Sequence, residues 1–389
     1  MKIIHFVGGD LHSGSSKAVI TLSRNLNKLK NINSKIYNKK SNSKIFFEKV
    51  FKRSNFKKQN TTISLGIFGN NFLYDKNYIN ADIVHLHWIN KSLININDIL
   101  KINKPIVWTV RDMWPFTGVC HYTYDCEKYI KECGKCPQLN SNVKKDWSYK
   151  IFHLKNKIFS KKDITFITNS QWITNKAKKS KLLKNKKIIK LYNSFETRNF
   201  YPINKIKAKN NLNFDKNKKL ILFGANNASA KYKGLKYFVD SINELKSNNI
   251  EIGIIGNIWE RKIFKRKDIK IKFFGYINET SKLRKIYSAA DLFVAPSIQD
   301  AFPKMPVEAM LCETPCVYFK STSISEINKD GYTGFGANYQ NFSNLASAIN
   351  KSLKSKKKLG KNARKHILKN YSQKKLTEKI TNIYRNSIK

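Results

Sequence analysis

A chain of 389 residues, 41% hydrophobic and 12% aromatic, carries enough apolar surface for two domains of ordinary size and does not have the composition of a disordered protein. Lys plus Arg at 75 against Asp plus Glu at 26 leave a net charge of +49, which calls for a tolerance of self-repulsion or for an anionic partner, a lipid surface or a nucleic acid, without choosing between them. No apolar run reaches the length of a bilayer span. MKIIHFV is too short for a signal peptide and lacks a cleavage site, so the cytoplasm is the expected location.

KIIHFV (2–7) reads as a buried strand, GGDLHSGSS (8–16) as a loop and KAVITLSRNLNKL (17–29) as a helix, with Ala18, Val19, Leu22, Leu26 and Leu29 at helical spacing. Gly8, Gly9, Gly14 and Ser15 do not form the GxGxxG of a dinucleotide fingerprint. A loop so poor in side chains brings backbone N–H groups close to a phosphate or an acceptor sugar, or is simply a tight turn. Residues 43–58, SKIFFEKVFKRSNFKK, place Phe46, Phe47, Val50 and Phe51 on one stripe among Lys44, Lys49, Lys52 and Arg53. Such a helix lies in an anionic membrane interface or packs its Phe face on its own domain.

Further strands are expected at 63–68, 82–88, 105–112, 164–170 and 187–193. His85 and His87, two apart on a strand, share a face, an arrangement open to metal binding or to ring packing. Cys120, Cys126, Cys133 and Cys136 crowd into one short segment in which CGKC has the gap of half a zinc site. Disulfides do not suit a reducing compartment, which leaves free thiols or a structural zinc with His121 as a spare ligand.

Residues 201–219 are polar, basic and aperiodic and read as a linker. Strands then resume at 220–225, 250–256, 269–276, 291–297 and 314–319, followed by Lys-rich helices over 341–388. The resulting class is α/β, with two Rossmann-like doubly wound domains facing each other across a cleft. They cover 1–200 and 220–370, with a terminal helix over 371–389. Ligands of such sheets sit beyond the carboxyl ends of the strands. There, Lys233-Gly234 opens a helix after the loop GANNASAKY, and PSIQDAFPKMPVEAMLCETPCV (296–317) runs from a strand through a loop into a helix. Pro306 is expected at the helix start, with Glu308 in the first turn and Asp300 eight positions earlier. A free helix N-terminus attracts anions, and a nearby carboxylate accepts from sugar hydroxyls.

The segment resembles the donor signature of glycosyltransferase family 4, the retaining GT-B enzymes, whose Glu-x7-Glu is shortened here to Asp300 and Glu308. The resemblance extends to 193–202, similar to the family's interdomain segment, and to the strand, loop and helix before the donor motif. It implies a nucleotide-sugar donor held by Gly14, Lys231, Lys233, Ile277, Asp300, Phe302, Pro303, Lys304, Met305 and Glu308. Lys233 would meet the diphosphate, Asp300 and the 302–305 backbone the sugar, and Glu308 the ribose. The family's Arg after the first strand of this domain is Ala225 here, and its His before Asp112 is Arg111. Either Arg111 stabilises the leaving phosphate or His121 serves on the acceptor side.

No Asp-x-Asp occurs, so no catalytic cofactor or metal is expected. The expected reaction is retaining transfer to a glycan acceptor, lipid-linked by family analogy, at the inner face of the cell membrane in bacterial surface polysaccharide synthesis. Two rivals stand: a basic nucleic-acid-binding protein and a GT-B nucleotide-sugar epimerase. The scattered charge and the absence of a groove-reading or base-stacking motif argue against nucleic acid.

Overall fold

A computed structural model describes every residue except 12, 57–60, 194, 196, 260, 356, 357 and 389, and all side chains among the rest but that of Ser15. Two ends of expected features, 57–58 of the basic helix and 194 and 196 of the 193–202 segment, lie outside the described residues. The chain forms two compact units, 1–194 with 373–389, and 195–372.

The first unit runs β1 (Lys2–Phe6), α1 (Gly14–Leu26), β2 (Asn33–Tyr37), α2 (Asn42–Asn55), α3 (Lys76–Ile79), β3 (Ile83–Leu86), β4 (Ile106–Val110), α4 (Trp147–Lys161), β5 (Ile164–Thr168), α5 (Gln171–Lys179) and β6 (Ile188–Lys190). Its six-stranded sheet has the order β2-β1-β3-β4-β5-β6, every pair parallel. β3, β4 and β5 are buried along their whole length, as their mostly apolar sequences IVHL, IVWTV and ITFIT suit central strands.

The second unit runs α6 (Lys205–Asn211), β7 (Lys219–Asn227), α7 (Leu235–Glu244), β8 (Ile250–Asn257), β9 (Lys270–Gly275), α8 (Thr280–Ala289), β10 (Leu292–Ala295), α9 (Lys304–Leu311), β11 (Cys316–Phe319), α10 (Ile324–Ile327), β12 (Gly334–Ala337), α11 (Phe342–Lys354) and α12 (Leu359–Asn370). Its parallel sheet has the order β12-β11-β10-β7-β8-β9. α13 (Gln373–Ile388) then belongs to the first unit. Its Leu376, Ile380, Ile383 and Tyr384 recur at helical spacing and join Ile3, Leu22, Leu26, Ile83 and Val107 in one apolar cluster.

Three expectations need correction. Residues 63–68 are not a ladder strand. Gly66 turns with φ +72, Ile63 makes an isolated antiparallel bridge to Cys120, and Ile96 N–H and the Trp114 indole take up the carbonyls of Gly66 and Ser64. The polar stretch 201–219 is no bare linker, because Asn204 caps α6 through the Lys207 N–H. There the buried Lys209 ammonium meets Asp291 at 2.8 Å. Two edge strands were also missed. β2 is half polar, and β12 is glycine-rich because a Cβ at Gly334 would stand 1.8 Å from the Cys316 carbonyl.

Candidate active site

In the second unit β10 ends at Ala295, and α9 begins at Lys304 behind Pro303 as its N-cap. The helix therefore starts two residues before Pro306. Pro306 is the third helical residue, where its missing N–H has no intrahelical acceptor to lose. Glu308 consequently stands in the second turn, and the first turn holds no acid. Its carboxylate is buried. Tyr287 donates its hydroxyl to Oε2 at 3.1 Å, and the Lys304 ammonium lies 3.1 Å from Oε1. Burial, and then the charge of Glu308, push the Tyr287 phenol well above its ordinary value, which keeps it a donor.

Lys233 is placed by its neighbours. A tight turn over Lys231–Lys233 ends at Gly234, with φ +75, where a Cβ would lie 1.9 Å from the Pro296 carbonyl. Only glycine lets this turn lie against the loop after β10. The N–H of Ile298 donates to the Tyr232 carbonyl at 2.8 Å, tying turn to loop. Lys233 Nζ then sits 2.5 Å from Asp300 Oδ2, while the Phe302 N–H donates to Oδ1 at 3.2 Å. Burial would lower the lysine pKa, but the Asp300 charge and Tyr232 reverse the shift, so the ammonium persists.

The remaining expected donor residues are distributed around this pair. Lys231 is exposed on the same turn, and Ile277 is half-buried just beyond β9. Phe302 stacks on Phe195 at 5.5 Å, and Pro303 is buried behind it. Met305 reaches Gly224 at the end of β7, where a Cβ would come within 2.5 Å of its methyl. Gly14 opens α1 in the first unit. Tyr287 escaped sequence reading, since an ordinary aromatic in a helix carries no signal of the carboxylate it meets.

In the first unit Arg111 donates to Asn193 Oδ1 at 2.5 Å and faces His87 Nδ1 at 3.2 Å. Burial lowers its pKa to about 10. Below it, His5 Nδ1 lies 3.0 Å from His87 Nε2, and His85 bonds the Tyr384 hydroxyl at 2.6 Å and Thr109 at 2.7 Å. Burial first, reinforced by the Arg111 charge, lowers His5 to about 3 and holds His85 and His87 well below their usual value. The three rings are neutral packing partners. His121 stands apart from them: its Nδ1 is 2.6 Å from Asp112 Oδ2, and its Nε2 is 2.9 Å from Ser64 Oγ. Trp88 donates to the same Asp112 oxygen at 3.0 Å. Asp112 thus has its imidazole, supplied by a residue nine positions later. Cys120, Cys126, Cys133 and Cys136 line one cavity as free thiols.

Residues 204–366 match the family described as glycosyl transferases group 1. The second unit belongs to the group 1 glycosyltransferases. Over 83 residues, a fifth of each chain, the protein is 36% identical to the putative colanic acid biosynthesis glycosyl transferase WcaC of Escherichia coli. The matched segment thus spans only a small part of that relative. Sucrose-phosphate synthase from Thermosynechococcus elongatus superposes with a TM-score of 0.71 at 16% identity, covering 99% of both chains. HepE of Anabaena, solved with UDP and glucose, gives 0.66 at 14% identity, covering 99% of this chain and 100% of the other. These likenesses bear out the GT-B fold. The glycosyltransferase domain carries its motif residues at the ends of β7 and β10, as the doubly wound class requires.

Proposed function

We propose that the protein transfers a sugar from a nucleotide-sugar donor to a glycan acceptor in the synthesis of a surface polysaccharide, with retention of configuration and without a catalytic metal. The observation that carries this reading is the Lys233 ammonium held at 2.5 Å from Asp300 beside the start of α9. A departing diphosphate needs positive charge that is fixed before the reaction, and an ammonium next to free helical N–H groups supplies it. In the step, the bond from the anomeric carbon to the diphosphate oxygen breaks. The acceptor hydroxyl bonds to the same face, and its proton passes to the departing phosphate. Lys233 exchanges its bond with Asp300 for one to phosphate, which releases that carboxylate to accept from sugar hydroxyls. Glu308, steadied by Tyr287, accepts from the ribose. On the acceptor side, His121 paired with Asp112 suits the orienting role better than Arg111, whose guanidinium is spent on Asn193 and His87.

A lipid-linked acceptor at an anionic membrane fits α2. Phe46 and Phe47 are 62% and 61% exposed, and Lys49 and Arg53 are exposed beside them. Phe51 and Phe56 instead turn inward, so the helix divides its aromatic face between the domain and solvent. No helix among the described residues is long and apolar enough to cross a membrane.

A thermal-shift screen of nucleotide sugars is expected to show one stabilising donor class, with a shift that grows as ln(1 + [L]/Kd). Glu308→Ala should abolish it. Turnover that stops on chelation would sink metal independence, and an inverted anomeric centre by NMR would sink retention. Product formed without acceptor would establish the epimerase, and salt-sensitive nucleic-acid binding indifferent to sugar nucleotides would establish the other rival.

A further inference from the structure

The chain between β4 and α4 is a long excursion of short turns that brings its four cysteines to one cavity. All four line one cavity, with Lys128 and Tyr129 at its wall. The Cys133-Gly-Lys-Cys136 turn is built with left-handed backbone, Gly134 at φ +146 and Lys135 at φ +43. A Cβ at Gly134 would lie 2.3 Å from the Lys144 carbonyl, so the turn requires glycine. The Cys136 N–H donates to Asp146 Oδ2 at 2.8 Å, and the N–H groups of Gln138 and Leu139 face its sulfur. The Gly118 N–H faces the sulfur of Cys133. Burial pushes the Cys133 thiol up to about 12 and raises that of Cys136, so without a metal both stay protonated. Backbone N–H donors of this kind steady the sulfurs once a metal has displaced their protons. Positive charge is also at hand. Lys155, fully buried, donates to the carbonyls of Trp114, Thr117 and Gly118 at 2.5, 3.0 and 2.9 Å.

We infer that Cys120, Cys126, Cys133 and Cys136 bind one zinc ion that staples this excursion and, through Cys120, fixes the adjacent His121. Binding releases four thiol protons to solvent, and the net charge of −2 on the resulting zinc tetrathiolate faces Lys128 and Lys155. Burial lowers the Lys155 pKa to about 7, and negative sulfurs favour its charged form. With every position taken by sulfur, the ion has no site for substrate, so its role is structural. A Zn–S bond of about 2.3 Å demands sulfurs roughly 3.8 Å apart. Among the described residues, the ligand atoms that all lie within 4.8 Å of one another are those of His5, His85 and His87, so the sulfurs stand wider and binding draws them in. The histidine group itself is a poor rival, since both His85 nitrogens are bonded to hydroxyls and a guanidinium abuts His87.

The test is elemental analysis of untagged full-length protein, with cobalt(II) replacing the metal after its removal. About one zinc per chain is expected, together with intense thiolate-to-cobalt bands in the visible spectrum. Cys133→Ser with Cys136→Ser should lose the ion, whereas Cys312→Ser, outside the cluster, should keep it. Wild-type protein that holds no zinc and takes up no cobalt overturns the proposal. So does zinc retained by the double variant without thiolate bands, which would place the ion at the histidines, or a pair of disulfides found by mass spectrometry. If the double variant fails to fold, the wild-type cobalt spectrum decides alone.

Discussion

In the second unit Asp300 faces the Lys233 ammonium at 2.5 Å, and in the first Asp112 faces the His121 imidazole at 2.6 Å. Both carboxylates follow the carboxyl end of a central parallel strand, β10 in one case and β4 in the other. The partners differ in kind. A lysine next to a carboxylate stays charged across the working pH range and suits a fixed anion. An imidazole held between Asp112 and Ser64 is a fixed hydrogen-bonding group, which suits a neutral hydroxyl. On the proposed reading, one fold used twice would present a fixed charge to the donor and a hydrogen-bonding ring to the acceptor.

The sharpest way to break that comparison is to remove each carboxylate's partner in turn. Lys233→Ala should lower kcat by about 10²–10³, the cost of deleting one preorganised stabiliser of transition-state charge. The loss should resist rescue by pH. His121→Gln keeps a hydrogen bond to Asp112 but loses the ring between Asp112 and Ser64, so it should lower kcat while leaving donor binding intact. Steady-state kinetics of both variants, with donor and acceptor varied in turn, check the distinction. If Lys233→Ala left kcat unchanged, the donor reading would fall.

A second asymmetry is expected in acid. The first unit buries His5, His85 and His87 as neutral rings beside Arg111, and the second unit has no such group among its described residues. Their folded-state pKa values lie below the ordinary 6.5, so above that pH both folded and unfolded chains leave them uncharged and their contribution is intact. As pH falls below 6.5 the unfolded chain takes up protons that the folded chain refuses, for His5 until about pH 3. Stability should drop by up to about 1.4 kcal/mol per pH unit for each histidine. Urea unfolding at pH 7.5, 6 and 5, compared with His5→Leu, isolates one histidine's share. Identical slopes for the two proteins would mean that His5 is charged in the fold.

The difference between the units also explains what could be read in advance. The second unit's motif is local: strand, loop, carboxylate and helix occupy 291–311, so its residues could be singled out together, with the resemblance to family 4 rather than spacing alone deciding their reading. Of the partners from outside, Lys233 was legible and Tyr287 was not. Even there the helix start was misplaced by two residues, because Pro is tolerated anywhere in the first turn. The first unit's site is assembled across the chain, with Ser64, Trp88, Asp112 and His121 meeting only in the fold. The same locality governed the strands. Mostly apolar runs were legible, whereas polar β2 and glycine-rich β12 owe their pairing to neighbours rather than to propensity.

The smallest expected effect concerns α2 and divides its aromatic residues in two. Phe46 and Phe47 are exposed, while Phe51 packs edge-on against Trp147 at 5.2 Å and Phe68 at 5.8 Å. Phe46→Ser with Phe47→Ser removes nothing from the core, so stability in solution should stay within about 0.5 kcal/mol. On vesicles containing anionic lipid the same pair should bind at least about tenfold more weakly, because partial insertion of each ring yields a fraction of the roughly 1.5–3 kcal/mol of full burial. Phe51→Ser should do the reverse, costing fold stability while leaving the outward rings in place. Co-sedimentation at two salt concentrations separates the ring contribution from that of Lys49 and Arg53, since only the latter is screened. If the double serine variant sedimented like wild type at high salt, α2 would not be the membrane-facing element, and its exposed rings would have to meet something other than lipid.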